Sequence, residues 1–227
     1  MIDRRRFLQG IVAAATTPAF VSGCTDGRRP SRNGLLADPR GLLDLAPGLE
    51  YTVISRFGDA MSDGLTVPGA HDGMAAFQAP DGRLAIVCNH ELGSRRRMHS
   101  ALGDAYPSAD ADLLDRFYDR GSGESPSPGG TTTTIYDPAS RKVERQFLSL
   151  AGTELNCAGG PTPWGSWLSC EECFEDPGTG WRFGPKYVRD KRHGYVFEVA
   201  AAADGLVEPV PLRAMGRFEH EACAVHE

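Results

Sequence analysis

The chemistry of this chain concentrates between Asn156 and Glu172, in the run Asn-Cys-Ala-Gly-Gly-Pro-Thr-Pro-Trp-Gly-Ser-Trp-Leu-Ser-Cys-Glu-Glu. One thiol, Cys157, stands in a glycine-rich stretch where backbone can approach a ligand closely. Two carboxylates, Glu171 and Glu172, follow at the far end of a strand-like segment. A soft thiolate beside hard carboxylates suits iron or calcium better than a structural zinc. On a regular strand adjacent side chains face opposite ways, so only one of the two glutamates reaches a given site. The same pattern also fits a buried cysteine and two surface glutamates.

Further candidates lie elsewhere. Asn89-His90-Glu91 follows the apolar run 84–88 and makes Asn89 and Glu91 candidate oxygen ligands at a strand end. Cys170 and Cys173 have CxxC spacing, but a single such pair supplies half a zinc site. The turn-like 174–178 is also not the helix that a redox motif would open. His220-Glu221 and His226-Glu227 evoke a zinc-protease motif with the wrong spacing. Their histidines are six apart, roughly 20 Å on a strand, which excludes a shared metal. No Walker loop, nucleophile elbow or dinucleotide fingerprint is present, and no catalytic residue is assigned.

The N-terminus supplies a context for metal loading. Arg4 and Arg5 precede Phe7-Leu8, an apolar stretch runs from Gly10 to Val21, and Val-Ser-Gly-Cys ends at Cys24. This reads as a twin-arginine export signal over residues 1–23 with a lipoprotein box. The stretch falls well short of the roughly 20 residues a spanning helix needs. The twin-arginine translocase carries folded cargo, so the expected product is exported, periplasmic or cell-surface, and held to the membrane only by a lipid on Cys24. The formal charge is −6, which argues against nucleic-acid binding. Six cysteines are present. Assigning Cys24 to lipid leaves an odd number, so buried thiols and one ligand are expected rather than a disulfide framework.

Positioning these residues requires strands. Residues 24–45 are rich in Gly, Pro, Arg, Asp and Ser and read as a flexible tether, leaving one domain over 46–227. Strand-like runs occur at 51–55, 83–88, 131–136, 143–150, 164–169, 194–199, 206–212 and 223–226. Asp137-Pro138-Ala139-Ser140 and Ala203-Asp204-Gly205 read as hairpin turns. One helix is expected, capped by Ser108, with Asp110 and Asp112 at its positive end, an apolar face of Leu113, Leu114 and Phe117, and Gly121 as its stop. Residues 121–130 read as a mobile surface loop. The fold class is therefore all-β with one short helix, a partial, incomplete β-propeller in preference to a sandwich. The strand expected at 223–226 would leave an unpaired edge, which suggests a chain cut from a longer protein.

In order along the chain, the segment from Val67 to Phe77, Asn89-His90-Glu91, the block from Cys157 to Glu172, the segment from His193 to Val199, and that from Gly216 to Glu221 together resemble the PhoX family of bacterial alkaline phosphatases. The resemblance runs from about Leu45 to the last residue. It implies a β-propeller holding calcium ions and a pair of irons, with Cys157 as the iron thiolate. It also implies Glu172 (or Glu171) and Glu221 as carboxylate ligands and Glu91 as a calcium ligand. The implied activity is release of phosphate from organic phosphate esters. Cations that mask the carboxylates would let an acidic protein bind an anionic substrate. The family's chains are about twice as long, and their second half carries further ligands and a substrate-binding arginine. This chain alone is accordingly expected to be inactive. The alternatives are a non-catalytic propeller lipoprotein that uses calcium to stiffen a binding surface, and an inactive truncated product.

Overall fold

The computed structural model describes residues 34–103, 109–123, 125–179 and 187–226, without the side chain of Thr179. Arg4, Arg5, Cys24, Ser108 and Glu227 lie outside them. The chain divides into two compact units, residues 1–51 and 52–227. Within the first, the stretch expected as tether carries local order. Leu36 and Leu45 form a bridge, and the Asp38 carboxylate accepts from the Leu42 and Leu43 backbone amides at 2.8 and 3.2 Å and from the Tyr51 hydroxyl.

The second unit is built on antiparallel sheet. Strands β1 (His71–Gln78), β2 (Leu84–His90), β3 (Gly129–Asp137) and β4 (Lys142–Thr153) form a four-stranded meander in sequence order. Strands β5 (Asn156–Pro161), β6 (Ser166–Glu171) and β9 (Val196–Ala200) form a second sheet, and β7 (Gly178–Thr179) pairs with β8 (Val188–Arg189) in a short ribbon. Local chemistry explains the principal connections. Between β3 and β4 the Asp137 carboxylate accepts from the amides of Ala139 and Ser140, an Asx turn of the kind Asp-Pro predicts. Between β4 and β5 only Glu154 and Leu155 intervene, so the chain changes sheet in a turn that holds Leu155 at φ 46°.

β3 sits inside the meander and carries four consecutive buried threonines, Thr131 to Thr134. Their branched side chains suit a pleated strand. Two of their hydroxyls find internal partners, Ser149 for Thr131 (2.8 Å) and His90 for Thr132 (2.9 Å). One core cluster lies between the two sheets: Val87 of β2 and Leu150 of β4 meet Trp167 of β6 and Phe197 and Val199 of β9. Leu168, Cys170 and Val196 form a second cluster on the opposite face, so β6 is buried on both sides. Each such aliphatic side chain contributes about 1.5–3 kcal/mol of burial.

Several expectations need correction. Residues 51–55, 206–212 and 223–226 form no strand, although Leu212 still donates to the Val196 carbonyl (2.8 Å) and Pro211 bridges Phe197. The helix is a single turn, α1 (Ala111–Leu114), capped by the Asp110 carboxylate accepting from the Asp112 amide at 3.0 Å. Phe117 is buried beyond its end. Short 3-10 turns at Ser94–His99 and Arg213–Met215 were not anticipated. Residues 126–130, expected at the surface, are buried because Gly129 and Gly130 open β3. Among the described residues no helix is long and apolar enough to cross a membrane.

Candidate metal centre

Three donors from separate parts of the second unit meet at one point. Glu91 leaves the end of β2, Cys157 sits in β5, and Glu172 follows the last residue of β6. A ligand atom of each lies within 4.8 Å of the other two. All three residues are partly buried.

Backbone irregularity makes this convergence possible. The β5–β6 register runs from Asn156 opposite Glu171 to Gly159 opposite Ser169, which leaves one extra residue on β5 around Cys157 and Ala158. A bulge of this kind re-aims a side chain away from regular alternation. β1 carries a matching irregularity between His71 and Met74, and the two are in contact. A Cβ on Gly73 would stand 2.7 Å from the Cα of Ala158 and 3.1 Å from the Cys157 carbonyl. Each carboxylate is set by a strained neighbour as well. The Glu91 amide donates to Ala70 and the Glu172 amide to Leu155, both at 2.9 Å. Ala70 and Leu155 lie in the left-handed region at φ 50° and 46°, a cost that concentrates at functional sites.

The site extends to two further carboxylates. The Cys157 thiol donates to Glu221 at 3.4 Å, and the Glu221 carbonyl accepts from the Ala158 amide at 3.1 Å. Asp72 follows His71, which pairs with His90 next to Glu91, and its charge acts on both Glu91 and Cys157. Asp72 was not among the expected ligands. The signal was its place at the β1 end directly across from Asn-His-Glu, which becomes visible only once β1 is known to be a strand.

The electrostatics are those of a site built for a cation. Burial first, then the neighbouring Glu221 and Asp72, push the Cys157 thiol up to about 12. Burial, Asp72 and Glu172 also raise the Glu91 carboxyl, against the pull of Arg96. The Cys157 thiol therefore holds a proton that a cation would displace. One thiol and several carboxylates on a partly dry surface fit a metal by donor chemistry. Glu91, Cys157 and Glu172 would hold it, with Glu221 and Asp72 at its margin.

Two expected ligands have other work. Asn89 is fully buried. Its amide donates to the carbonyls of Cys157 (3.1 Å) and Ala158 (2.8 Å), and its oxygen accepts from Trp167 Nε1 (2.8 Å) and Ser169 Oγ (2.9 Å). Every hydrogen-bonding position is used, so Asn89 straps the β5 bulge rather than ligating. Glu171 points away from Glu172, as strand alternation requires. It accepts from the amides of Glu154 (2.9 Å), Gly194 (2.7 Å) and Tyr195 (3.1 Å) and from His193 Nδ1 (2.7 Å). His193 also reaches Asp119 at 3.1 Å, and Arg189 grips Glu154 through two bonds of 2.6 and 3.0 Å. This buried ionic network stands behind the site and fixes where β6 ends. The CxxC spacing has no metal role: Cys170 and Cys173 are both buried, and the Cys173 thiol donates to the Glu154 carbonyl at 3.8 Å.

No curated protein matches the chain. Among solved structures, Pseudomonas fluorescens PhoX in complex with vanadate, a transition state analogue, is 19% identical with a TM-score of 0.44, over 86% of this chain and 41% of that one. The chain thus spans about two-fifths of that protein's length. The alkaline phosphatase PhoX family model matches residues 32–138 and 128–227, which include every donor described above, and the chain belongs to the PhoX alkaline phosphatase family.

Proposed function

We propose that this chain serves a metal-dependent alkaline phosphatase that releases phosphate from organic phosphate monoesters, with iron at Cys157 and calcium among the carboxylates. The observation that carries the reading is the meeting of Glu91, Cys157 and Glu172 within 4.8 Å. Bound there, the cations would supply Lewis-acid neutralisation of the ester's oxygens. The chain's own residues have defined tasks. Glu91 and Glu172 fix the hard donors, Cys157 gives the soft one once its proton is lost, and Asn89 holds the Cys157 backbone in place. Arg96 is a cation whose charge acts on Glu91.

The finer reading follows the family. The four-stranded meander is the form of a propeller blade, and the second sheet would begin the next. Arg4 and Arg5 would direct export of the folded protein through the twin-arginine translocase, and Cys24 would carry the lipid that keeps it at the outer face of the membrane.

The test is elemental analysis and hydrolysis of p-nitrophenyl phosphate by the protein purified from an export-competent host, alongside Cys157→Ser. Near-integral iron and calcium, and at least tenfold less iron in the variant, are expected. Iron content unchanged by the substitution would remove Cys157 from the centre. A folded protein free of both metals would overturn the reading.

A further inference from the structure

The two glutamates of the donor trio come from different sheets, Glu91 after β2 and Glu172 after β6. One residue is hydrogen-bonded to the backbone beside both. The Leu155 amide donates to the Leu92 carbonyl at 3.1 Å, and the Leu155 carbonyl accepts from the Glu172 amide at 2.9 Å. Leu92 is fully buried, so the first of these bonds is anchored in the interior. Gly93 leaves room for the Leu155 side chain, since a Cβ there would stand 3.2 Å from Leu155 Cδ2. A single residue thus ties the neighbour of Glu91 to Glu172 itself.

Leu155 holds this place at φ 46°. A left-handed leucine persists only where its surroundings over-determine it, and both flanking residues are locked. The Glu154 amide donates to Glu171 at 2.9 Å, and its carbonyl accepts from the Cys173 thiol at 3.8 Å. The Glu154 carboxylate takes Arg189 through bonds of 2.6 and 3.0 Å, Ser127 at 3.3 Å and the Tyr187 hydroxyl. On the other side Asn156 is fully buried, accepting from Thr153 Oγ1 at 2.6 Å and donating to Ser169 Oγ at 2.9 Å. The turn between them is left to Leu155. Arg189 lies in β8, so the short ribbon, which gives no donor to the trio, acts on it through this turn.

We propose, on the metal-dependent reading above, that Leu155 is a positioning residue whose left-handed backbone sets the separation of the Glu91 and Glu172 carboxylates, and so the grip of the centre on a cation. The bonds that do this are main-chain bonds, and the leucine side chain is only partly buried. Backbone conformation at 155 therefore matters more than polarity. Asparagine enters the left-handed region readily, whereas a β-branched residue is an outlier there.

The test uses the full chain with Leu155→Asn and Leu155→Val. Calcium binding is read by calorimetric titration, folding by the urea midpoint, and carboxylate spacing by crystal structures of the metal-free proteins. Leu155→Asn should bind calcium as the parent does and keep the ligand oxygens of Glu91 and Glu172 within 4.8 Å. Leu155→Val should part the two carboxylates and bind at least about tenfold more weakly. A packing role would reverse this order, sparing Leu155→Val and impairing Leu155→Asn, and that order would overturn the bracket. So would a Leu155→Val protein with the parent's spacing and affinity. If Leu155→Val does not fold, Leu155→Asn decides: loss of the spacing there overturns the bracket, and its retention supports it. A parent that binds no calcium, with spacings ranked as expected, would count against the metal reading and still support the role of Leu155.

Discussion

Adjacent glutamates with opposite duties give the sharpest test at the level of single residues. Glu172 belongs to the donor trio, whereas Glu171 is buried with both its oxygens taken by three amides and His193. Glu172→Gln should therefore reduce metal content with little effect on the unfolding midpoint in urea. Glu171→Gln places an amide NH2 against donors and strips His193 of a charged partner, a loss of about 3 kcal/mol or more. Equal effects of both substitutions on stability would refute the division. Asn89→Ala makes a related point. It leaves Trp167 Nε1 and Ser169 Oγ without their acceptor and frees the Cys157 carbonyl, at a cost of about 2–4 kcal/mol from buried groups left unpaired. Metal affinity should fall with it although Asn89 touches no metal, and calorimetric titration of the folded variant reads that directly.

The decisive device among the elements is a pair of bulges in contact. A methyl at position 73 would meet Ala158 backbone at 2.7 Å, and backbone cannot yield as a flexible side chain can. Gly73→Ala should cost about 1–3 kcal/mol and displace Cys157, read as a lower denaturation midpoint together with lost metal. A variant as stable and as metal-replete as the parent would show that the bulges do not set the site. This device also marks the limit of what the sequence disclosed. β2, β3, β4 and β6 were legible because their apolar and β-branched runs end at turn residues. β1 and β5 were not, because His-Asp-Gly and Ala-Gly-Gly-Pro have low strand propensity and are held extended by their neighbours. Cys157, Glu91 and Glu172, which the structure brings together, stood out in the sequence by donor type, and Glu221 only through the family resemblance. Asn89 was misjudged because an amide at a strand end looks the same as ligand or strap until its four partners are known. The strand expected at 223–226 alternates correctly, yet it touches the sheet through one backbone bond, from Cys223 to Gly159, without joining its ladder.

Across the molecule, an acidic chain of net charge −6 has buried part of its charge behind the site, and this makes its stability depend on pH in a definite direction. His193 is fully enclosed. Burial alone would lower its pKa, but Glu171, Asp119 and Glu154 prevail and raise it from 6.5 to about 10. Tyr118 closes over the ring edge-on at 5.4 Å, so water does not replace these partners. A histidine that holds its proton more tightly in the folded than in the unfolded chain stabilises the fold in full below the unfolded value. That contribution is lost as pH rises from about 6.5 through about 10. Unfolding free energy of the metal-free protein should therefore fall steadily across this window. His193→Gln should be less stable at pH 6 and show a much flatter profile. The metal centre works in the opposite sense, since the Cys157 thiol must lose its proton to bind a cation, so metal affinity should rise with pH over the same range. Chelated and metal-loaded samples should thus diverge as the solution becomes alkaline, the first losing stability and the second retaining it through ligand linkage. Parallel profiles for the two samples would mean that the carboxylate and thiol cluster does not bind the ion added.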